Sequence, residues 1–255
     1  MVCPLSQPEA EEAYSKLRDE VGRFAGRRIT DQALRDSVVL YNKNRELLRK
    51  LYDIRRKKPG VLRAKDVLAI VQASMVMPKE EHTQLLEKLL PQLQARRVRS
   101  EGKVKLFLSG QMCAAPKTDL LDIIEDAGGI IVDDDLYTGY RYFASDTPVN
   151  GNPIHGLVTR YLANFPPNPS RWDPDNDLGQ YITNAAQKSK SQGAIILNAK
   201  HCELHNWYCM HIRRMLTKAG IPRLMIETQH ETVSLGPERT RIEAFIEMIS
   251  AGTPA

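Results

Sequence analysis

The groups able to do chemistry gather in a few short stretches of this 255-residue sequence. Cys202 lies in His201-Cys202-Glu203-Leu204-His205-Asn206-Trp207-Tyr208-Cys209, directly after an apolar run and just before a helical pattern. A sulfur near a helix N-terminus is favoured as its anion, which suits a metal ligand or a nucleophile. The same place also suits a small buried residue at a tight strand exit, since cysteine is among the most buried residue types. Cys209, two turns on, reads as packing in the helix's apolar face. His201 and His205 can join the two cysteines around zinc, but their spacing follows none of the recurrent paired-ligand patterns. Cys113 reads as a partly buried loop cysteine, and Cys3 carries no functional argument. Asp133-Asp134-Asp135 offers carboxylates for a divalent cation or for capping the next turn. Three consecutive residues of an extended chain cannot all face one ion. No Gly-rich phosphate loop, GxSxG elbow or HExxH occurs, and Ser109-Gly110-Gln111-Met112-Cys113 lacks the glycines of a dinucleotide-binding turn.

The elements that must position these groups are legible from periodicity. Residues 1–100 read as helices. One covers Glu9 to Ala25. A second starts at Thr30-Asp31, carries Leu34, Val38, Tyr41, Leu48, Leu51 and Ile54 at helical spacing, and stops at Pro59-Gly60. Two more run from Ala64 to Met75 and from Lys79 to Arg96. From Lys103 the pattern changes to short apolar strands (Val104 to Leu108, Ile130 to Val132, Ala194 to Leu197, Pro222 to Ile226). Helices alternate with them: Asp119 to Ala127, a short one near Ile154 to Leu162, one from Asp177 to Ser191, then Asn206 to Ala219 and Arg239 to Ile249. This alternation predicts an α/β fold, with a helical region (1–100) followed by a four-stranded parallel, doubly wound, flavodoxin-like domain (101–255). Ligands of such sheets sit outside the carboxyl ends of the strands. Those ends lead into Ser109 to Cys113, the acidic triplet, Lys200 to Glu203, and Glu227-Thr228-Gln229-His230.

Composition excludes several classes. With 42% hydrophobic and 26% charged residues, the chain reads as a globular protein rather than a disordered one. No apolar run approaches the roughly 18 residues of a membrane span, and Met1-Val2-Cys3-Pro4 lacks the layout of a secretory signal. Four cysteines are too few for a disulfide scaffold, so a reducing cytoplasm is expected. Charge is uneven: residues 1–100 hold 21 Lys/Arg and 13 Asp/Glu, whereas 101–255 hold 15 and 18. Because the basic residues alternate with apolar ones at helical spacing, they read as solvated helix faces. A nucleic-acid surface is disfavoured, since no stacking aromatics are interleaved.

The C-terminal stretch Gly220-Ile221-Pro222-Arg223-Leu224-Met225-Ile226-Glu227-Thr228, His230-Glu231 and Arg239-Thr240-Arg241-Ile242-Glu243-Ala244-Phe245 resembles the ending of the 2-hydroxyacyl-CoA dehydratase and benzoyl-CoA reductase superfamily. Ile29 to Leu34, Val71 to Met77, Leu108 to Cys113 and Val132 to Phe143 are similar to blocks of that family in the same order. Glu227 to Leu235 is closer to the benzoyl-CoA reductase side. The resemblance implies a cytoplasmic, oxygen-sensitive acyl-CoA enzyme of anaerobes. It implies paired homologous catalytic subunits holding [4Fe–4S] clusters, and an ATP-dependent iron–sulfur activator that delivers low-potential electrons. Those electrons reduce an aromatic thioester ring, or form a ketyl radical that loses hydroxide. By the same resemblance Cys202 matches the C-terminal cluster cysteine. The family's other ligands lie in an N-terminal α/β domain that this chain is expected to lack.

Two readings follow. In one the chain is a catalytic-subunit piece: Cys202 binds iron, Ser109 and Gln111 touch substrate, and Glu227 and His230 are catalytic, with His230 supplying protons near neutrality. His230 equally suits a hydrogen-bonded loop residue. In the other reading the chain is a truncated scaffold without a cluster.

Overall fold

The structure is a computed structural model in which residues 6–98, 100–110, 114–171, 173–228 and 235–252 are described. Helices α1 (Ser6–Phe24), α2 (Asp31–Lys57), α3 (Ala64–Val76) and α4 (Lys79–Ala95) come first. The Thr30 hydroxyl caps α2 by accepting from the Ala33 amide at 3.2 Å, as expected of a Ser/Thr N-cap. The basic run Arg55-Arg56-Lys57 closes the same helix, where the macrodipole favours cations. Leu48, Leu51 and Tyr52 of α2 pack with Val67, Val71, Leu86 and Phe143 into a core beside the sheet.

The rest alternates: β1 (Val104–Gly110), α5 (Thr118–Asp126), β2 (Gly129–Asp134), α6 (Tyr140–Phe143), α7 (Pro153–Leu162), α8 (Leu178–Lys188), β3 (Gly193–Ala199), α9 (Glu203–Lys218), β4 (Arg223–Thr228) and α10 (Gly236–Ser250). All strand pairs are parallel, in the order β2-β1-β3-β4. The strands are apolar at successive positions because both faces are covered. Leu106, Leu108, Ile195 and Leu197 pack against α5 and α10. Phe107, Ala194 and Ile196 pack against α8 and α9. The doubly wound α/β expectation therefore holds. Every element expected from the sequence is present. The single turn α6 was not expected, and the strands run one to three residues beyond their apolar cores. No helix among the described residues is long and apolar enough to cross a membrane.

The uneven charge has a structural use that the reading as solvated faces missed. Cations of the first helices meet carboxylates of the sheet half: Arg49 with Asp146 (2.6 Å), Arg55 with Asp134 (2.7 Å), Arg56 with Asp133 (2.7 Å), Arg63 with Glu125 (3.1 Å) and Asp126 (2.8 Å), and Lys65 with Asp122 (2.9 Å). The exposed pairs contribute little each, ~0–1 kcal/mol. The buried Arg55–Asp134 pair sits where α2 meets β2 and has a larger role.

Candidate functional site

The sheet order makes one crevice special. The connection after β1 leads to β2 on one side, and the chain returns to β3 on the other, so the carboxyl ends of β1 and β3 flank the topological switch point where such sheets bind ligands. On the β1 side stand Ser109 and Gly110. Gly110 has φ +103, and a Cβ there would lie 2.1 Å from the Leu197 carbonyl oxygen, so only glycine lets β1 approach β3 this closely. Its amide donates to Asp135 Oδ1 at 3.2 Å.

On the β3 side the chain turns sharply into α9. The Cys202 amide donates to the Ala199 carbonyl at 3.0 Å, with His201 in the left-handed region at φ +66. Cys202 is itself the N-cap residue. Its carbonyl accepts from the Asn206 amide, while its side chain makes no capping hydrogen bond. The helix starts three residues earlier than its apolar periodicity indicates. Cys202, 8% exposed, therefore stands at the N-terminal end of α9, where the first amides have no acceptor within the helix. The Lys200 amide donates to Thr228 O, and Thr228 Oγ1 donates to Asn198 O, which ties the turn to β4.

One turn along α9, His205 is buried, and its Nε2 has no hydrogen-bond partner among the described residues. Its ring lies 6.5 Å from that of Tyr137. Burial holds the imidazole below its ordinary pKa, with Asp135 opposing and Arg141 adding, so it is neutral at pH 7. Ser109 Oγ is likewise buried and without a partner among the described residues. A buried polar atom without a partner calls for an explanation, and a bound ligand is one that would serve both of these. The sequence signal for His205 was its position three residues after Cys202, which puts both on one side of α9.

The acidic triplet is not a cation site. Each member has its own arginine: Asp133 with Arg56, Asp134 with Arg55, and Asp135 with Arg141 at 3.0 Å. Arg141 also donates to the carbonyls of Asp135 (2.7 Å) and Pro167 (2.8 Å) and lies over the Tyr137 ring at 5.0 Å. Arg141 and Tyr137 form one wall of an open cleft of about 550 Å³ that runs on past Tyr142, Arg160 and Phe165. Sequence periodicity carried no sign of this cleft, because its far wall is the irregular segment 163–171. Its volume is that of a small-molecule site.

Asp133 is nearly enclosed. Burial pushes its carboxyl up to about 6, outweighing the pull of Arg56. The unfolded carboxyl titrates near 3.8. As pH falls from 7 through 6, the folded protein therefore takes up this proton before the unfolded chain does, and the group's contribution to stability rises. The gain is up to about 2–3 kcal/mol and is complete near pH 4. Asp133→Asn is expected to remove that rise. Urea midpoints at pH 7, 6 and 5 for both proteins measure it, and an identical pH dependence in the two would refute the assignment.

Of the residues singled out in the sequence, Ser109 lies at the carboxyl end of β1 and Cys202 just past that of β3, the two strands that flank the switch point. Glu227 is exposed on the edge strand β4, opposite Asn198 in the ladder. Gln111, Cys113 and His230 lie outside the described residues. Cys209 packs as expected, its Sγ 3.2 Å from Met225 Sδ. A [4Fe–4S] cluster requires four ligands, ordinarily thiolates. Cys202 and Cys209 are the free cysteines of the described residues, and no group of three His, Cys, Asp or Glu is placed among those residues to hold a metal. The described residues thus do not complete a cluster.

Comparison with known proteins agrees with this architecture. The family described as 2-hydroxyglutaryl-CoA dehydratase, D-component, matches residues 5–249. A benzoyl-CoA reductase subunit of Thauera aromatica is 28% identical over 190 residues, 74% of this chain and 49% of that protein. The (R)-phenyllactyl-CoA dehydratase beta subunit of Clostridium sporogenes is 27% identical over 237 residues, 92% of this chain and 62% of that protein. The (R)-2-hydroxyglutaryl-CoA dehydratase beta subunit of Acidaminococcus fermentans is 25% identical over 242 residues, covering 93% and 63%. The chain thus spans between about half and somewhat under two thirds of these relatives' lengths. Because the match runs through the helical region and the whole of the parallel α/β half, this chain belongs to the 2-hydroxyglutaryl-CoA dehydratase D-component family.

Proposed function

We propose that the chain is a subunit, or the C-terminal part of one, of an acyl-CoA enzyme that reduces an aromatic acyl-CoA in the manner of benzoyl-CoA reductase. In this reading it works beside a homologous subunit and receives electrons from an ATP-dependent iron–sulfur activator. The supporting observation is Cys202: a cysteine N-cap at the carboxyl end of β3, beside the switch-point crevice. Cys202 is the thiolate this chain offers to a [4Fe–4S] cluster, whose remaining ligands come from residues outside the described ones or from another polypeptide. The chain's own residues shape the crevice. Neutral His205 and the free Ser109 hydroxyl supply hydrogen-bonding groups there, the Asp135–Arg141 pair holds its rim, and α8 and α9 exclude water from its floor.

A second reading is favoured by the longer alignments, which are with dehydratase subunits. In it the same site serves loss of water from a 2-hydroxyacyl-CoA. A scaffold without a cluster is the outcome if no iron is bound. The test is anaerobic co-expression with the homologous subunit, followed by iron and acid-labile sulfide analysis. Brown protein is expected, and in Cys202→Ser the iron and sulfide per complex fall by the share of this chain's cluster while the partner subunit's own cluster remains. Colourless protein, or colour unchanged by Cys202→Ser, would overturn the assignment. Assay of the complex with reduced activator on benzoyl-CoA and on phenyllactyl-CoA separates reductase from dehydratase.

A further inference from the structure

We infer that the junction of α2, α7 and the turn 143–147 is an anion site that takes a phosphate or diphosphate group through Arg45 and Arg160. The other enclosed arginines of the protein, Arg55, Arg56 and Arg141, each meet a carboxylate within 3.0 Å. Arg45 and Arg160 are half-buried as well, yet among the described residues neither has a carboxylate within ion-pair distance. Arg45 donates to Asn42 Oδ1 at 2.7 Å. Arg160 donates to the carbonyls of Ser145 (3.0 Å) and Tyr142 (3.4 Å). The other N–H groups of both guanidiniums have no acceptor among the described residues.

Two more cations stand around the same turn. Arg49 bonds Phe143 O (2.8 Å) and pairs with Asp146. Lys79, buried, donates to Ser74 and, at 3.2 Å, to the Tyr142 hydroxyl. Within this group the ion pair is Arg49 with Asp146 at 2.6 Å. Burial pushes Arg45 down to about 10, and the Arg160 charge is the next largest cause. Arg160 is lowered by burial too, with Asp146 opposing. Like charges held together out of bulk water are costly unless a counter-charge completes them. Two planar guanidinium forks with free donors match the oxygens of a phosphate better than those of a lone chloride. The site also has an approach, because Arg160, Tyr142 and Ser145 line the open cleft of about 550 Å³. The inference does not depend on whether Cys202 holds iron.

The phosphate can come from two sources: a free phosphate or diphosphate compound, or the phosphate end of a coenzyme A thioester. Calorimetric titration of the full chain at low ionic strength with inorganic pyrophosphate, and separately with coenzyme A, distinguishes them. Pyrophosphate is expected to bind, to raise Tm with concentration, and to bind about ten- to a hundredfold more weakly in Arg45→Gln and in Arg160→Gln. Arg213→Gln, on the exposed surface of α9, serves as the control without effect. If Arg160→Gln fails to fold, Arg160→Lys, which keeps the charge but loses the fork, is expected to weaken binding in the same direction. Coenzyme A binding that falls in the same variants assigns the site to the thioester carrier; pyrophosphate binding without it assigns a free ligand. Absence of pyrophosphate binding at millimolar concentration, or equal affinity in wild type and Arg45→Gln, overturns the proposal.

Discussion

Asp134→Ala is expected to destabilise the protein by about 3–5 kcal/mol, the cost of leaving a buried charge without its partner. One Asp134 oxygen accepts from Arg55 Nη1 (2.7 Å) and the Tyr52 hydroxyl (2.8 Å); the other accepts from the amides of Leu136 (3.3 Å) and Tyr140 (3.0 Å). Arg55 is 2% exposed, and its remaining tie is Nε to Ile131 O at 2.8 Å. Alanine therefore strands a guanidinium, a phenol and two amides at once, between α2 and β2. Its effect should exceed that of Asp133→Asn at pH 7, because burial already disfavours the charge on Asp133. Urea unfolding followed by circular dichroism measures the loss. The double variant Arg55→Met/Asp134→Leu is expected to recover part of it, since replacing both charges with apolar groups removes the stranded one. A loss under about 1 kcal/mol for Asp134→Ala would show that this network does not hold the two layers together.

Gly110→Ala is the second large effect. Strain at φ +103 costs ~1–3 kcal/mol, and the clash with the Leu197 carbonyl adds overpacking of ~1–3 kcal/mol, so a total of about 3–4 kcal/mol is expected. Gly151 provides the comparison. It has φ +83 but open space around its Cβ position, so Gly151→Ala should show only the backbone penalty of about 1–2 kcal/mol. Equal melting temperatures for the two variants would mean that β1 and β3 can part at their tips without cost. Their closeness would then not define the crevice. If they differ as expected, and the proposed function holds, iron content of the complex should fall in Gly110→Ala and not in Gly151→Ala, because Gly110 stands at the switch point and Gly151 does not.

Much of this architecture is written locally. The Thr30 and Asp177 caps, the stop at Pro59-Gly60 and the apolar strand cores act over a few residues, so they appear in the sequence as periodicity and punctuation. The position of Cys202 between a strand and a helix was legible for the same reason. The start of α9 was not, because its first turn, Glu203 to His205, has no apolar repeat, and the turn at His201 sets where the helix begins. The acidic triplet illustrates the limit from the other side. Its carboxylates were visible, but their arginines lie between 6 and about 80 positions away in the chain.

What the sequence by itself determined is the order and type of the elements, and hence a parallel sheet whose strand tips carry Ser109, the acidic triplet and Cys202. Only the tertiary structure decided which charges meet. It turned much of the basic surplus of the first hundred residues from solvated faces into partners for Asp133, Asp134 and Asp146, and among the described residues it left Arg45 and Arg160 without a paired carboxylate. The reason is that hydrophobic periodicity repeats over a few residues and needs no partner to be read. An ion pair, an orphaned imidazole or a cleft wall depends on contacts between segments distant in the chain, and those distances exist only once the layers have packed.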